Sequence, residues 1–93
     1  MNHLRHLAPA EIDMESSITF ANALEEVPAD TMLTVDLIEN QFFDSSGLAV
    51  LIRTQKRLTA GGGRVEVANP SPMFLRLLEI CALEEFLPVE ASR

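Results

Sequence analysis

A chain of 93 residues leaves room for one domain, here spanning residues 1–93, and at this size folding removes only roughly 60–65% of the unfolded surface, so its stability margin is thin. Fourteen acids against seven basic residues, a formal charge of −7 and the lack of Trp and Tyr argue against nucleic acid as a partner, because phosphate backbones reward clustered Lys and Arg and bases reward stacking aromatics. A single cysteine, Cys81, excludes an internal disulfide and fits a reducing compartment. No run in Met1–Leu7 or later has the apolar length of a signal peptide or a membrane span, so the expectation is a cytoplasmic protein without membrane insertion.

Short strand-like segments alternate with longer helix-like ones, which predicts an α/β fold with parallel neighbours in its sheet. Residues 1–9 form a short leader that supplies one strand at most and is a candidate for poor order. A first helix is predicted over Met14–Val27, with Asp13 as N-cap, Phe20, Leu24 and Val27 on one face, and Pro28 as its stop. Met32–Leu37 is β-branched and mostly apolar, as a central strand requires. A second helix starts near Ser45 or Ser46 and runs to Ala60, with Leu48, Leu51, Ile52 and Leu58 inward and Arg53, Lys56 and Arg57 on the wet side. Gly61-Gly62-Gly63 ends it. Arg64–Ala68 alternates as a strand does, Ser71 and Pro72 open a third helix, and Phe74, Leu77, Leu78 and Cys81 form its buried stripe. Glu85–Val89 reads as an edge strand, where Pro88 is tolerable.

The segment Phe42–Val50 concentrates the polar chemistry. Ser45 or Ser46 is placed to cap the free N–H groups of the helix that follows, and the same N–H groups favour an anionic phosphate there. Gly47 keeps the first turn uncluttered, so that another molecule can approach the backbone. From the residues alone, a capping serine and a modifiable serine are both open readings.

The run Asp44-Ser45-Ser46-Gly47-Leu48 resembles the signature of STAS domains of the bacterial anti-sigma factor antagonist type. Ala10-Glu11-Ile12-Asp13 resembles the Gly-Glu-Leu-Asp segment that opens the family's first helix, with Ala10 in place of glycine. Val35-Asp36-Leu37 is similar to the strand before the signature, and Gly62-Gly63 with Val65–Pro72 is similar to the strand and turn before the third helix. The likeness covers roughly residues 10 to 90. It implies a STAS-like fold: a small, mixed, mostly parallel sheet of about four strands packed with three to four helices. Because only residues 1–9 precede the Glu-Ile-Asp segment, where family members usually carry two strands, the N-terminal strands are expected to be shortened or missing. An edge left open in this way is a template for self-association.

The resemblance also implies a role. The serine after the signature aspartate, Ser45, would be phosphorylated by an anti-sigma factor with serine kinase activity, with Ser46 as a secondary candidate. The unmodified domain would bind that anti-sigma factor and free its sigma factor, and a metal-dependent phosphatase would reverse the modification. Asp13, Asp36, Asp44, Ser46, Gly47 and Leu48 would form the surroundings of the phosphosite. No cofactor, metal or catalytic residue is expected in this chain, since the nucleotide, metal and base would belong to the kinase.

Other features of the sequence bear on this role. His3 and His6 make a poor metal site without acids or cysteines beside them, and they are the only bases available for a serine hydrolase, which also lacks a G-x-S-x-G elbow. Cys81 reads as a buried thiol, and the Arg53, Lys56 and Arg57 face reads either as a solvated helix surface or as a contact for an acidic partner. Of Met73, Phe74 and Leu75, core packing plus an exposed Leu75 is the expectation. The alternative function within the fold is a stand-alone STAS subunit of an ABC-type lipid transport system that binds its ATPase. In such subunits the signature tends toward Asp-Thr-Gly-Gly, which the double serine disfavours.

Overall fold

A computed structural model describes residues 2–90. Three strands, β1 (Asn2–Leu7), β3 (Thr31–Asp36) and β5 (Arg64–Ala68), form a sheet in the order β1-β3-β5, and two two-residue strands, β2 (Glu11–Ile12) and β4 (Phe42–Phe43), pair with each other. Three helices complete the fold: α1 (Ser17–Glu25), α2 (Ser45–Ala60) and α3 (Pro72–Ile80). Every described strand pairing is parallel, in keeping with the mostly parallel sheet that the resemblance implies. Parallel neighbours need a crossover between them. Helix α1 makes the one from β1 to β3, and α2 the one from β3 to β5. The leader thus supplies one strand, β1, with Leu4 opposite Leu33 and His6 opposite Val35.

The core lies between the sheet and the helices. Leu33, Val35, Val65 and Val67 are fully buried and meet Phe20 and Leu24 of α1, Leu51 and Leu58 of α2, and Phe74 and Leu78 of α3. Their neighbours along the strands, Met32, Thr34 and Glu66, are only half-buried, so one face of the sheet is covered by helices and the other is partly open. This alternation is the pleat read out as burial. Helix α2 also carries a buried amide. The Gln55 side chain donates to the carbonyls of Val65 (2.9 Å) and Phe86 (2.7 Å) and accepts from the Val65 N–H (2.7 Å). It therefore acts as a peptide group added to β5, tying it to the C-terminal segment.

Several local features depart from the sequence expectation. Helix α1 starts at Ser17, not Met14, because residues 14–16 form a turn of their own. The Asp13 carboxylate accepts from the N–H groups of Glu15 (3.1 Å) and Ser16 (2.8 Å), so it caps that turn and not the helix. The helix stops at Glu25, two residues before Val27, whose N–H closes on Leu24 O (3.1 Å). Strand β3 is shifted one residue, to Thr31–Asp36. Cys81 is exposed at the end of α3, so the buried-thiol reading is wrong: the stripe of Phe74, Leu77 and Leu78 runs out of core one turn earlier. Met73 is exposed along with Leu75. Arg57 is not simply solvated, since its guanidinium donates to Leu24 O (2.9 Å) at the end of α1. Glu85–Val89 contributes a single bridge, Val67 to Val89, in place of a full edge strand.

The start of α3 follows the expectation: Pro72 occupies its first turn and the Ser71 hydroxyl accepts from Phe74 N–H (3.0 Å). The glycine run ends α2 as expected, with Gly62 at φ +91°. A Cβ on Gly63 would lie 2.2 Å from the Thr31 carbonyl oxygen, so this residue must be glycine for the chain to pass the start of β3.

Candidate functional site

Strand β4 ends at Phe43 and α2 begins at Ser45, so the whole change of direction falls on Asp44, whose backbone is extended (φ −108°, ψ −173°). The N-cap is Asp44 itself: its carboxylate accepts from Ser46 N–H (2.8 Å), and its carbonyl accepts from the N–H groups of Gly47 (3.1 Å) and Leu48 (3.2 Å). This corrects the expectation that a serine caps the helix. With an aspartate already on the first turn, neither serine hydroxyl is needed there, and among the described residues no hydrogen bond engages the Ser45 or Ser46 hydroxyl. Ser45 is exposed and Ser46 half-buried.

The β2–β4 ribbon sets what lies beside this turn. Its parallel register places Glu11 opposite Phe42 and Ile12 opposite Phe43, and Asp44 N–H donates to Ile12 O (3.2 Å). Asp13 therefore leaves its strand next to Asp44, and two carboxylate-bearing turns stand side by side. Hydrogen bonds from Ser16, through both its N–H and its hydroxyl, hold the Asp13 carboxyl below its ordinary value, so it is ionised at neutral pH.

Gly47 and Leu48 face inward, not toward a partner. Leu48 is a core residue, and a Cβ on Gly47 would lie 2.7 Å from Ile12 Cγ2 and 2.9 Å from the Phe43 ring. The glycine is needed beneath the turn, to let α2 sit against the ribbon, rather than above it. Phe43 is the floor of the site: its ring meets Phe74 edge-on (5.0 Å between centroids) and Phe20 at 6.4 Å. Contacts of this kind favour edge-to-face geometry and fix the ring against both α1 and α3. Phe42, its neighbour, points outward at 51% exposure, and Met14, next to Asp13, stands at 78%. Neither residue is marked by the sequence as part of an exposed apolar surface. Phe42 was legible as the outward partner of Phe43 in a two-residue strand, whereas Met14 depended on the unforeseen turn at 14–16.

Asp36 does not join this group. It lies at the C-terminal end of β3 at 7% exposure, and its carboxylate accepts from Arg5 Nε (3.0 Å), Asn69 Nδ2 (2.9 Å) and Ile38 N–H (2.9 Å). Burial pushes its carboxyl up, but the Asn69 amide, the Ile38 N–H and the Arg5 guanidinium outweigh that and hold it below its usual value. Arg5 also reaches Glu90 (3.4 Å). The expectation that Asp36 adds to the charge around Ser45 therefore gives way to a structural role: it joins β1, β3 and the loop after β5. Among the described residues there is no group of three or more His, Cys, Asp or Glu side chains that could hold a metal ion, and no helix is long and apolar enough to cross a membrane.

Residues 9–88 match the family described as "Mlab, STAS domain". The chain belongs to the STAS domain family. It is 33% identical over 57 residues to the anti-sigma F factor antagonist of Paenibacillus polymyxa, an alignment covering 61% of this chain and 49% of that protein, so the chain spans about half the length of this relative. Two solved structures show the same fold. One is an anti-sigma-factor antagonist (STAS) domain protein of Planctomyces limnophilus (TM-score 0.74, 23% identity, 96% of this chain and 82% of that one). The other is a Thermotoga maritima protein provisionally described as an anti-sigma factor antagonist (TM-score 0.80, 16% identity, 92% and 78%). The matched STAS region contains both the Asp13 and the Asp44 turns and all three helices.

Proposed function

We propose that this STAS domain is an anti-sigma factor antagonist, a non-enzymatic binding protein switched by phosphorylation of Ser45. The observation that carries the reading is the division of labour at the α2 start: Asp44 holds the cap, while the Ser45 hydroxyl is exposed and free of hydrogen bonds among the described residues. A serine that capped the helix would lose its bond on modification. Ser45 has nothing to lose, so a phosphate can be added without unfolding the turn.

The charge then acts on binding. Phosphate brings about −1.5 to −2 charges and three strong acceptors. The helix N-terminus that would otherwise offset them already carries the Asp44 carboxylate, and the Asp13 turn lies alongside. A partner that covers the turn, using the exposed Phe42 and Met14 for apolar contact, would have to bury that charge unpaired, at about 2–5 kcal/mol. A loss of about 3 kcal/mol weakens binding more than a hundredfold. The partners implied are an anti-sigma factor with serine kinase activity, which would supply nucleotide and metal, and a metal-dependent serine phosphatase, all in the cytoplasm. The deciding experiment is to incubate the purified chain with serine-kinase anti-sigma factors and ATP and to locate phosphate by mass spectrometry. Phosphate on Ser45, absent from Ser45→Ala, supports the proposal; modification that persists in Ser45→Ala and is lost in Ser46→Ala moves the switch to Ser46.

A second reading rests on the matched family description, which names Mlab and not an antagonist: a STAS subunit of an ABC-type lipid transport system. Tight binding to a transport ATPase together with no phosphorylation by any serine-kinase anti-sigma factor would select it.

A further inference from the structure

We propose that the outer edge of β1, with the apolar groove beside it, is a self-association surface that takes the β1 strand of a second copy of this chain. Strand β1 is the end strand of the sheet, and among the described residues no backbone hydrogen bond reaches its outer side. Such an edge presents unpaired N–H and C=O groups that another strand can complete. The devices that usually blunt an edge are missing: Asn2–Leu7 contains no proline, no lysine and no acid, and its one fixed charge, Arg5, is turned back onto Asp36 and Glu90.

A groove of about 350 Å³ runs along this edge; its surface is mainly apolar, from Leu7, Pro9, Phe20 and Ala23, and Glu11 and Ser16 add a polar wall. His6 packs on Phe20 of α1 (5.8 Å between ring centroids), so Leu4, two residues away, points to the same side of the sheet. Leu4 is 47% exposed. When two β1 strands pair antiparallel about a two-fold axis normal to the sheet, Leu4 of each copy comes to the α1 side of the other, next to the groove. Key and groove thus lie on one edge, as a closed isologous contact requires. Charge does not bar this choice of surface, since Arg5 is already paired with Asp36 and Glu90. The chain carries −7 overall, so two copies repel across most orientations, and β1 is an acid-free segment bearing His3, Arg5 and His6.

The test is sedimentation equilibrium of the full chain at low micromolar to about 1 mM concentration, the range in which a contact of this size is measurable. It is run on the wild type, on Leu4→Lys and on Ala23→Arg, which fills the groove from α1 without altering the edge strand. A reversible dimer in the wild type, weakened at least tenfold in both variants with unchanged far-UV circular dichroism and melting temperature, supports the proposal. A second readout fixes the geometry: Leu4→Cys mixed with Ala23→Cys, each in a Cys81→Ser background, should form a disulfide-linked dimer on mild oxidation, and Leu4→Cys mixed with Asn22→Cys in the same background should not. A wild type that stays monomeric throughout the range overturns the proposal. So does a dimer that neither variant weakens, because the contact would then lie elsewhere.

Discussion

The Asp44 turn and the Asp36 cluster begin from the same sequence feature, an aspartate at the end of an apolar strand, and end in opposite states. Asp36 is buried and bound by three donors from β1, the post-β3 turn and the post-β5 loop. Asp44 has one side-chain bond, to the turn it caps, and leaves an exposed serine beside it. The difference comes from what the fold brings to each strand end. The end of β3 lies in the middle of the sheet, where neighbours on both sides can satisfy a carboxylate. The end of β4 lies in a two-residue ribbon at the rim, where only β2 adjoins it. An acid at the centre stabilises the fold, and one at the rim shapes a surface.

This contrast can be broken by substitution. The largest stability effect is expected at the centre: Asp36→Ala leaves the Asn69 amide, the Ile38 N–H and the half-exposed Arg5 without their acceptor and should cost about 2–4 kcal/mol in chemical denaturation. Partner affinity of the folded fraction should be nearly unchanged. Gly47→Ala comes next, at about 1–3 kcal/mol, because the added methyl must displace Ile12 or the Phe43 ring. It is the one change expected to lower stability and partner affinity together, since it moves the floor of the site. Asp44→Ala should cost about 1 kcal/mol through the lost cap. Ser45→Ala should lie within about 0.5 kcal/mol of wild type, since its hydroxyl is unengaged. A Ser45→Ala loss as large as that of Asp44→Ala would show that the serine shares the cap and would undo the contrast.

Acid titration tests the two regions together. The Asp13 and Asp36 carboxyls are held below their ordinary values in the fold, so the stability they contribute is present above the unfolded value of about 4 and is lost as pH falls through the folded values. Burial lowers the pKa of His6, which favours its neutral form, so a separate and earlier loss should begin as pH falls below about 6.5. Urea midpoints across this range should show the earlier loss disappear in His6→Gln and the later one shrink in Asp36→Asn.

Much of the fold was legible in the sequence because its signals are local. The Leu48, Leu51 and Leu58 spacing, the Ser71-Pro72 start and the glycine run each set an element by short-range physics, and α2, β5 and the start of α3 fall where those residues put them. Several of the misses share one cause, a partner distant in sequence. Asp36 reads as a site residue until Arg5 and Asn69, 31 and 33 positions away, are brought to it. Nothing in the sequence singles out Gln55, whose buried amide gains its role only when β5 and Phe86 meet it. Gly47 reads as room for a partner until Ile12 arrives beneath it. Cys81 reads as core because helical spacing gives the face of a residue, and not where the core stops. At the site, the position of Ser45 was legible, whereas the reason its hydroxyl is free, an aspartate cap one residue earlier, emerged only from the geometry.

The most direct test of the proposed switch is the affinity of a serine-kinase anti-sigma factor for two forms of this chain, unmodified and stoichiometrically phosphorylated on Ser45, measured by calorimetry side by side with their melting temperatures. The account predicts binding weakened more than a hundredfold by phosphate while the melting temperature shifts little, because the turn keeps its Asp44 cap. Equal affinity of the two forms, or a loss of binding that merely follows unfolding, would contradict it.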